Sequence, residues 1–145
     1  MRLSSVAVLV LVMLAGCAGN HRQTHTTDAL YPAIGPYSQM VQSGNLYFLS
    51  GVIPLNRAGT AVQGTTIEEQ TRVVLDYIGA ALAAQGLRHQ NVVTATVYLK
   101  DLGDFAAMNG IYSQYFAKDP PARATVEVAR LPKDVRIEIA VTAAR

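Results

Sequence analysis

Two charged side chains in the last quarter of the sequence, Arg123 and Glu138, are residue types suited to chemistry on a molecule that carries a carboxylate. A guanidinium can bind a carboxylate through two parallel charge-assisted hydrogen bonds, and a carboxyl group can orient a water molecule and carry its proton. Arg123 follows a Pro-Ala turn at the predicted start of one strand, and Glu138 lies in the next predicted strand. Their positions in the two alternating patterns predict that both side chains lie on one face of a sheet, as a shared cleft requires.

Both residues also have an ordinary structural interpretation. Arg123 could form a surface ion pair with Glu127 on the same strand, and Glu138 could pair with Arg136 or Arg145. Exposed ion pairs are common and contribute little free energy of folding, so the sequence pattern alone is compatible with either interpretation.

The N-terminal residues have the pattern of an export signal. Arg2 precedes a continuous apolar run from Val6 to Leu14, which is too short to span a bilayer. Leu14-Ala15-Gly16-Cys17 then resembles a bacterial lipobox, so we expect cleavage before Cys17 and acylation of this cysteine. The alternative is an ordinary signal peptide with a coincidental cysteine. Acylation predicts a protein anchored by lipid in the cell envelope and facing the periplasm, and Ala18 weakly favours the outer membrane.

These features divide the chain into a lipoprotein signal peptide (1–16), a polar lipidated tether (17–28) and a single domain (29–145).

The composition excludes several classes of function. The chain has 12 Lys and Arg against 10 Asp and Glu, and removal of Arg2 with the signal peptide leaves 11 against 10. This near-neutral charge lacks the excess of basic residues that binding to nucleic acid requires. The single cysteine excludes an internal disulfide. No metal site is expected, because the polar segment around His21 and His25 offers no third ligand.

The first half of the domain predicts a hairpin followed by a helix. Strands 37–41 and 46–50 flank a Ser-Gly-Asn turn. The helix covers residues 66–85, with a capping box formed by Thr66 and Glu69 and a stop at the following glycine.

The second half predicts strand, helix, strand, strand. Residues 91–100 alternate as a strand, and Asp104 is expected to cap the second helix. The apolar stripe of this helix consists of Phe105, Met108, Tyr112 and Phe116. Two further alternating strands, 123–128 and 135–141, are joined by a turn at 131–134.

Two helices can cover only one face of the resulting sheet. The opposite face is expected to carry small residues and a few charges, namely Thr94, Thr96, Tyr98, Arg123, Thr125 and Glu138. Such a face is either solvated or buried against other subunits of a symmetric oligomer.

Four stretches of the sequence resemble proteins of the RidA, or YjgF-type, family of reactive-intermediate deaminases. They are residues 32–39 (PAIGPYSQ), 49–51 (LSG), 97–102 (VYLKDL) and 121–139 (PARATVEVARLPKDVRIEI). The resemblance runs from about Tyr31 to Arg145. It implies an α+β, chorismate-mutase-like fold, a ferredoxin-like variant in which one mixed sheet has two helices on one face. It further implies a homotrimer with clefts between subunits, and no metal or organic cofactor.

The activity implied by the resemblance is hydrolysis of small 2-imino acids, such as 2-iminopropanoate and 2-iminobutanoate, or of their enamine tautomers, to 2-oxo acids and ammonia. Arg123 matches the family's carboxylate-binding arginine, and Glu138 matches a glutamate at the reacting centre. The matching substrate-binding positions are Tyr37, Ser50, Gly51, Asn109 and Thr125. Structural alternatives are a core tyrosine at 37, a simple bend at 51 and a hydrogen-bonded brace at 109.

Two positions depart from the family pattern. Thr125 stands where many members have cysteine, and Val52 stands where close relatives often have glutamine, which leaves the preferred substrate open. The expected export also differs from well-known members, which act in the cytosol or in organelles. The principal alternative function is a non-catalytic binding module that captures small carboxylates in the same clefts. RNA cleavage, a third possibility, is disfavoured by the near-neutral charge.

Overall fold

Alternating apolar residues form most of the strands in the computed structural model, which describes residues 22–145. Within that range lie six strands and two α-helices, connected by short turns and 3₁₀ segments. The strands are β1 (Gln23–His25), β2 (Met40–Ser43), β3 (Leu46–Val52), β4 (Val92–Leu99), β5 (Ala122–Glu127) and β6 (Ile137–Ala144). The helices are α1 (Ile67–Ala83) and α2 (Phe105–Tyr115).

The strands form one mixed sheet in the order β1-β2-β3-β6-β4-β5. Strands β4 and β5 are parallel and are connected through α2, whereas all the other neighbours pair antiparallel. The last strand in the sequence, β6, is therefore inserted between β3 and β4. This arrangement confirms the predicted α+β class with one mixed sheet and two helices.

The predicted hairpin and first helix are confirmed. Gly44 adopts a φ of 61° in the turn between β2 and β3, a conformation that glycine adopts without strain. At the start of α1, Thr66 Oγ1 accepts a hydrogen bond from Glu69 N at 3.2 Å, and Glu69 Oε2 accepts one from Thr66 N at 3.2 Å. This capping box satisfies backbone donors that the helix leaves unpaired. Gly86, with a φ of 70°, follows the end of the helix.

The expected cap of the second helix is wrong. Asp104 precedes α2 but has helical backbone angles (φ −77°, ψ −5°), and its side chain makes no capping hydrogen bond. The carboxylate instead accepts hydrogen bonds from Arg136 Nε at 3.0 Å and Nη2 at 3.1 Å. Asp101 caps the preceding 3₁₀ turn by accepting a hydrogen bond from Gly103 N at 2.7 Å. The sequence pattern missed this turn, which shifts the capping position three residues upstream.

The core lies between the helices and one face of the sheet. From the sheet it contains Ala95, Val97, Leu99, Ile137, Ile139, Val141 and Ala143, all buried. From the helices it contains Val74, Leu75, Ile78, Ala81, Leu82, Met108 and Tyr112. The odd-numbered residues of β6, and those of β4 from Ala95 onward, therefore face the helices, and the even-numbered residues face away from them. A register shift between Val92 and Thr94 reverses this pattern at the start of β4, where Val92 is buried and Val93 is 47% exposed.

The expected orientation of β5 is wrong. The register pairs Arg123 with Ala95 and Thr125 with Val97, whose side chains both point towards the helices. Arg123 and Thr125 therefore lie on the helix side, whereas Glu138 lies on the uncovered face opposite Tyr98. The error arose because the prediction placed the apolar residues of this strand, its alanine and valine side chains, against the core. Strand β5 is an edge strand, and its Val126 is 43% exposed on the uncovered face.

The expected tether differs from the structure at its C-terminal end. Residues 23–25 form β1, which pairs antiparallel with β2 at the edge of the sheet. His25 Nε2 hydrogen-bonds Gln42 Oε1 at 3.0 Å, and Thr27 N donates to Gln39 Oε1 at 2.7 Å. A short polar edge strand lacks the apolar alternation by which a strand is recognised in a sequence. Cys17 and the signal segment lie outside the described residues.

No helix between residues 22 and 145 is both long enough and apolar enough to cross a bilayer.

Candidate active site

A crevice of about 190 Å³ opens beside Glu138, where β3 ends and β6 begins. Its walls are formed by Tyr31, Ile34, Tyr37, Ser50, Gly51, Ile53, Pro132 and Glu138. Four of these residues, Tyr37, Ser50, Gly51 and Glu138, were expected at a site from the sequence, and the structure brings them together on one protomer.

The carboxyl group of Glu138 has no ionic partner among residues 22–145. The two arginines considered as partners are engaged elsewhere, since Arg136 binds Asp104 and Arg145 lies over the Tyr47 ring with its Cζ 5.1 Å from the centroid. Glu138 is half-buried, and this burial raises the pKa of its carboxyl above the ordinary value. A raised pKa makes a carboxyl group a better proton acceptor, so this group is suited to receiving and returning a proton.

Gly51 is required by the close approach of Glu138 to the backbone of β3. A Cβ atom added at Gly51 would lie 2.8 Å from Glu138 Cδ and closer still to Oε1. The register between β3 and β6 also shifts between Leu49 and Val52, which places an irregularity at this point. Gly51 thus allows the carboxyl group to pack against the main chain, a role more specific than a simple bend.

Ser50 and Tyr37 build the mouth of the crevice. Ser50 Oγ donates a hydrogen bond to Ser38 O at 2.7 Å, and Ser50 N donates to Gln39 O at 3.0 Å, which fixes the segment before β2 against the end of β3. The Tyr37 side chain is 40% exposed, so the alternative of a core tyrosine is wrong. Its hydroxyl accepts a hydrogen bond from Ile34 N at 3.3 Å, which holds the ring at the opening.

Tyr31 lines the crevice and was not expected from the sequence. It is 3% exposed, its hydroxyl accepts a hydrogen bond from Ile53 N at 3.0 Å, and its ring meets Tyr77 edge to face at 5.7 Å. Burial raises the pKa of the Tyr31 hydroxyl to about 12, so it stays neutral beside Glu138. Tyr31 precedes β2 in an irregular segment, where no periodicity could reveal its burial.

Arg123 lies in a second cluster, on the helix side of the sheet. Its guanidinium carbon is 4.5 Å from the centroid of the Tyr112 ring and 5.7 Å from that of Phe105. Within residues 22–145 it forms no ion pair, and Glu127, the expected alternative partner, instead accepts a hydrogen bond from Leu102 N at 2.8 Å. Aromatic faces position a guanidinium without neutralising its charge, so its hydrogen-bond donors remain available to a carboxylate.

Polar groups without partners surround this arginine. Asn109 lies between Phe105 and Tyr112 on α2 and is half-buried. Its side chain makes no hydrogen bond among the described residues, so the structural alternative of a hydrogen-bonded brace is wrong. Tyr112 Oη and Thr125 Oγ1 are shielded from solvent and likewise have no partner among the described residues. The sequence analysis assigned Phe105 and Tyr112 to an apolar stripe, but both also support the Arg123 guanidinium.

The two clusters do not meet within one protomer. Strand β4 separates β5 from β6, and the side chains of Arg123 and Glu138 point to opposite faces of the sheet. Two strand spacings of about 4.8 Å put their backbones roughly 10 Å apart before this divergence is counted. The expectation of a common face is therefore wrong for a single chain, which presents two half-sites, one cationic and one carboxylic.

Comparisons with known proteins agree with this architecture. Residues 26–145 match the sequence profile of the family described as Endoribonuclease L-PSP. A RutC family protein of Pyrococcus horikoshii is 52% identical over 107 residues, which are 73% of this chain and 84% of that protein. The 2-iminobutanoate/2-iminopropanoate deaminase of Escherichia coli is 44% identical over 126 residues, 85% of this chain and 98% of the deaminase. The crystal structure of E. coli TdcF with bound serine has a TM-score of 0.80 and 37% identity, and covers 85% of this chain and 98% of TdcF.

The chain belongs to the RidA family. The chorismate-mutase-like fold expected from the resemblance is confirmed, and homology to a deaminase is established over nearly all of the described residues.

One departure of this RidA chain from the family pattern alters the Glu138 crevice less than the sequence suggested. Val52 is 1% exposed and does not line the crevice itself, although it lines a small adjoining cavity that shares Tyr31, Tyr37, Ser50 and Gly51 with the crevice. Thr125, the other departure, lies with Arg123 in the cationic half-site. Differences in substrate preference are therefore expected to arise at Thr125 sooner than at Val52.

Proposed function

We propose that this protein hydrolyses small 2-imino acids and their enamine tautomers to 2-oxo acids and ammonia, as its 44% identical E. coli relative is named for doing. The observation that carries the proposal is the pairing of two unneutralised half-sites. One presents a guanidinium on aromatic rings, and the other presents a half-buried carboxyl in a crevice of about 190 Å³. A 2-imino acid needs both, since it carries a carboxylate next to an electrophilic C=N carbon.

Each group has a defined part in the proposed reaction. Arg123 binds the substrate carboxylate through its free donors, which fixes the position of the adjacent imine carbon. Glu138 orients a water molecule and takes one of its protons as the oxygen attacks the carbon of the protonated imine, which gives a neutral carbinolamine. Glu138 then returns this proton to the amine nitrogen. The C–N bond breaks, ammonia leaves, and the C=O bond forms as the hydroxyl proton passes to the Glu138 carboxylate, which releases it to solvent. The raised pKa of Glu138 suits these transfers.

We further propose that a homotrimer completes the site. Because Arg123 and Glu138 lie on opposite faces of one sheet, a small substrate can contact both only where two protomers meet. The uncovered face of the sheet supports such an association, since it presents the exposed apolar side chains Phe48 and Val126 beside Tyr98. In a symmetric ring, Arg123 of one protomer then faces Glu138 of its neighbour at each interface.

The envelope location belongs to the same proposal. The tetrapeptide ending at Cys17 supports cleavage of residues 1–16 and acylation of Cys17, which would anchor the domain on the periplasmic side of a membrane, with the outer membrane weakly favoured. The start of β1 at Gln23 moves the proposed beginning of the domain ahead of residue 29 and shortens the tether to about residues 17–22.

The direct test generates 2-iminopropanoate in situ and follows 2-oxo acid formation. Wild-type protein is expected to accelerate it, whereas Arg123→Ala and Glu138→Gln are expected to lose at least tenfold in kcat/KM, a typical loss for removal of one catalytic or orienting group. Arg130→Gln is the matched control, because Arg130 is an exposed arginine outside both half-sites. Equal rates with and without wild-type protein would refute the deaminase proposal.

Mixing the two inactive variants tests whether the site is shared. If each cleft takes Arg123 from one protomer and Glu138 from the next, random mixing of Arg123→Ala with Glu138→Gln protomers restores about one quarter of the clefts, because half of the protomers retain each group. Activity should then return to about a quarter of the wild-type value after the mixture is unfolded and refolded together. No recovery in a mixture that has reassembled would contradict a cleft between protomers.

The bound serine in the TdcF structure favours one second candidate, a binding module for small carboxylates. This alternative predicts that the wild-type protein binds serine or a 2-oxo acid calorimetrically but leaves the imine hydrolysis rate unchanged. Under the deaminase proposal, Glu138→Gln instead retains binding through Arg123 and loses turnover.

A further inference from the structure

One end of the sheet is rich in exposed cations. The antiparallel pairings place the start of β1 at the same end as the β2–β3 turn, the end of β6 and the start of β4. Because α1 and α2 each return the chain to this end, the segments after both helices also lie here. We call this region the β1 end. Its charged side chains are Arg22, Arg88, Lys118, Asp119 and Arg145, all exposed.

The charge of the domain is therefore unevenly distributed. The β1 end has four basic side chains and one acidic side chain, a formal charge of 4 − 1 = +3. The remaining described residues have 11 − 4 = 7 basic and 10 − 1 = 9 acidic side chains, a formal charge of −2. Arg145 is held in place at this end, since it donates a hydrogen bond to Gln85 O and packs over Tyr47.

The β1 end is also where the chain leaves towards Cys17. Five residues lie between Cys17 and Gln23, and the six Cα–Cα steps between these two residues span at most about 20 Å even when the chain is fully extended. An acyl group on Cys17 therefore keeps the β1 end close to the lipid headgroups. Electrostatic attraction acts over a Debye length of about 8–10 Å at ordinary ionic strength. The tether therefore allows the β1 end to come close enough to the headgroups for this attraction to act.

We propose that the β1 end docks on an anionic phospholipid surface through Arg22, Arg88, Lys118 and Arg145. The inference rests on the acylation of Cys17 proposed above. Docking fixes the orientation of the domain on the membrane. Acylation alone does not, because a lipid on a short tether permits the domain to tumble. The docked domain presents the Glu138 crevice away from the membrane, since β3 ends and β6 begins at the opposite end of the sheet.

The test uses the full acylated protein reconstituted in vesicles, with a fluorophore on a single introduced cysteine. Acylation consumes the only natural thiol, so labelling is specific. Gln90→Cys places the label at the β1 end, and Ala58→Cys places it on an exposed loop at the opposite end. A quencher attached to lipid headgroups reports proximity, in vesicles of phosphatidylcholine with or without phosphatidylglycerol.

With phosphatidylglycerol present, the label at position 90 should be quenched at least threefold more than the label at position 58, and high salt should remove the difference because it screens the attraction. Arg22→Gln combined with Arg88→Gln should at least halve the difference, whereas the control Arg130→Gln with Lys133→Gln at the opposite end should not. Equal quenching of the two labels, or an equal effect of the control pair, would overturn the docking inference.

The outcomes separate this inference from the proposal on which it rests. Mass spectrometry of the purified protein reports the acyl group on Cys17. If the acyl group is absent, both the proposed anchor and the proposed orientation are refuted. If the protein is acylated but the two labels are quenched equally, only the orientation is refuted. Imine hydrolysis by the solubilised protein is unaffected in either case.

Discussion

Glu138 is half-buried but has no cationic partner among the described residues, although buried carboxylates normally have one. A carboxylate in such a place is less stable than one in water, and the protein retains it without the ion pair that surface glutamates often form. The surrounding residues accommodate this group. Gly51 has no Cβ atom that would clash with the carboxyl, and the Tyr31 hydroxyl remains protonated beside it.

Replacement of this carboxyl should therefore make the protein more stable. A folded-state pKa above the unfolded one means that the favourable protonated form is present at low pH, and that stability is lost as the pH rises through the folded-state pKa. Glu138→Gln removes this loss. We expect the variant to melt above wild type at pH 7, by roughly a few degrees.

Thermal unfolding followed by circular dichroism at pH 7 and near pH 4 checks this expectation. The difference in Tm between wild type and Glu138→Gln should vanish near pH 4, close to the ordinary pKa of glutamate. A variant that melts below wild type at pH 7 would show that a cationic group outside the single chain, such as Arg123 of a neighbouring protomer, stabilises the charged form.

Gly51 and Gly110 form a matched pair for a test of close approach. Gly51→Ala forces the Glu138 carboxyl to move, so kcat/KM should fall at least tenfold, as expected when a reacting group is displaced by about 1 Å. Gly110 lies exposed within α2 with no atom near an added Cβ, so Gly110→Ala should retain activity and gain up to about 1 kcal/mol of stability. Similar activities for the two variants would contradict the assigned role of Gly51.

At the scale of elements, a charged clamp fixes the start of α2 to the sheet. Arg136 on the segment before β6 binds Asp104 through two hydrogen bonds, and Glu127 at the end of β5 accepts one from Leu102 N. Phe105, the next residue after Asp104, supports Arg123. The clamp therefore connects the position of the helix to the position of the guanidinium.

Loss of the clamp should affect substrate binding more than turnover. Asp104→Ala leaves Arg136 without its partner and should lower stability by about 1 kcal/mol, since the arginine is partly exposed. We expect KM to rise severalfold with a smaller change in kcat. Lys100→Gln is the control, because the Lys100–Asp134 pair is exposed and should contribute little to stability. Chemical denaturation and steady-state kinetics of both variants measure these effects, and an unchanged KM in Asp104→Ala would disprove the connection.

The sequence predicted those elements whose signals are local. The capping box at Thr66, the glycine turns at 44 and 86, the alternation of β6 and that of β4 from Ala95 onward all act through neighbouring residues, and all are confirmed. The elements that were mispredicted depend on tertiary context. Whether Arg123 or Ala124 faces the helices is decided by where β5 lies in the sheet, and β1 is a strand only because β2 lies beside it.

The same distinction applies to the candidate site. The sequence motifs identified Tyr37, Ser50, Gly51 and Glu138, which the structure gathers in one crevice. The aromatic support of Arg123 and the burial of Tyr31 were missed, because a stripe of aromatic residues has the same pattern whether it packs in a core or beneath a cation.

At the scale of the whole molecule, the uncovered face of the sheet supports the proposed trimer. Phe48 and Val126 are 44% and 43% exposed there, and the face between them is lined by small side chains of β4 and β6. A single domain does not normally leave a sheet face of this composition in water.

A charge on this face should therefore dissociate the proposed trimer. Val126→Asp is expected to give monomers by analytical ultracentrifugation and to lose imine hydrolysis, because the two half-sites no longer meet. Val62→Asp is the control, since Val62 is similarly exposed but lies on a loop outside the sheet. An active monomer, or a wild-type protein that is monomeric at assay concentrations, would disprove the trimeric arrangement.

The position of β6 has a consequence for biogenesis. The C-terminal strand joins β3 to β4, so the middle of the sheet has no backbone hydrogen bonds until residues 137–144 arrive. A chain that emerges from its N-terminus first therefore cannot complete its fold while any of the last strand is still to be synthesised or translocated. In the export proposed above, this delay would keep the polypeptide unfolded while it is threaded through a narrow channel, and it would couple the closing of the sheet to the release of residues 137–144 on the far side.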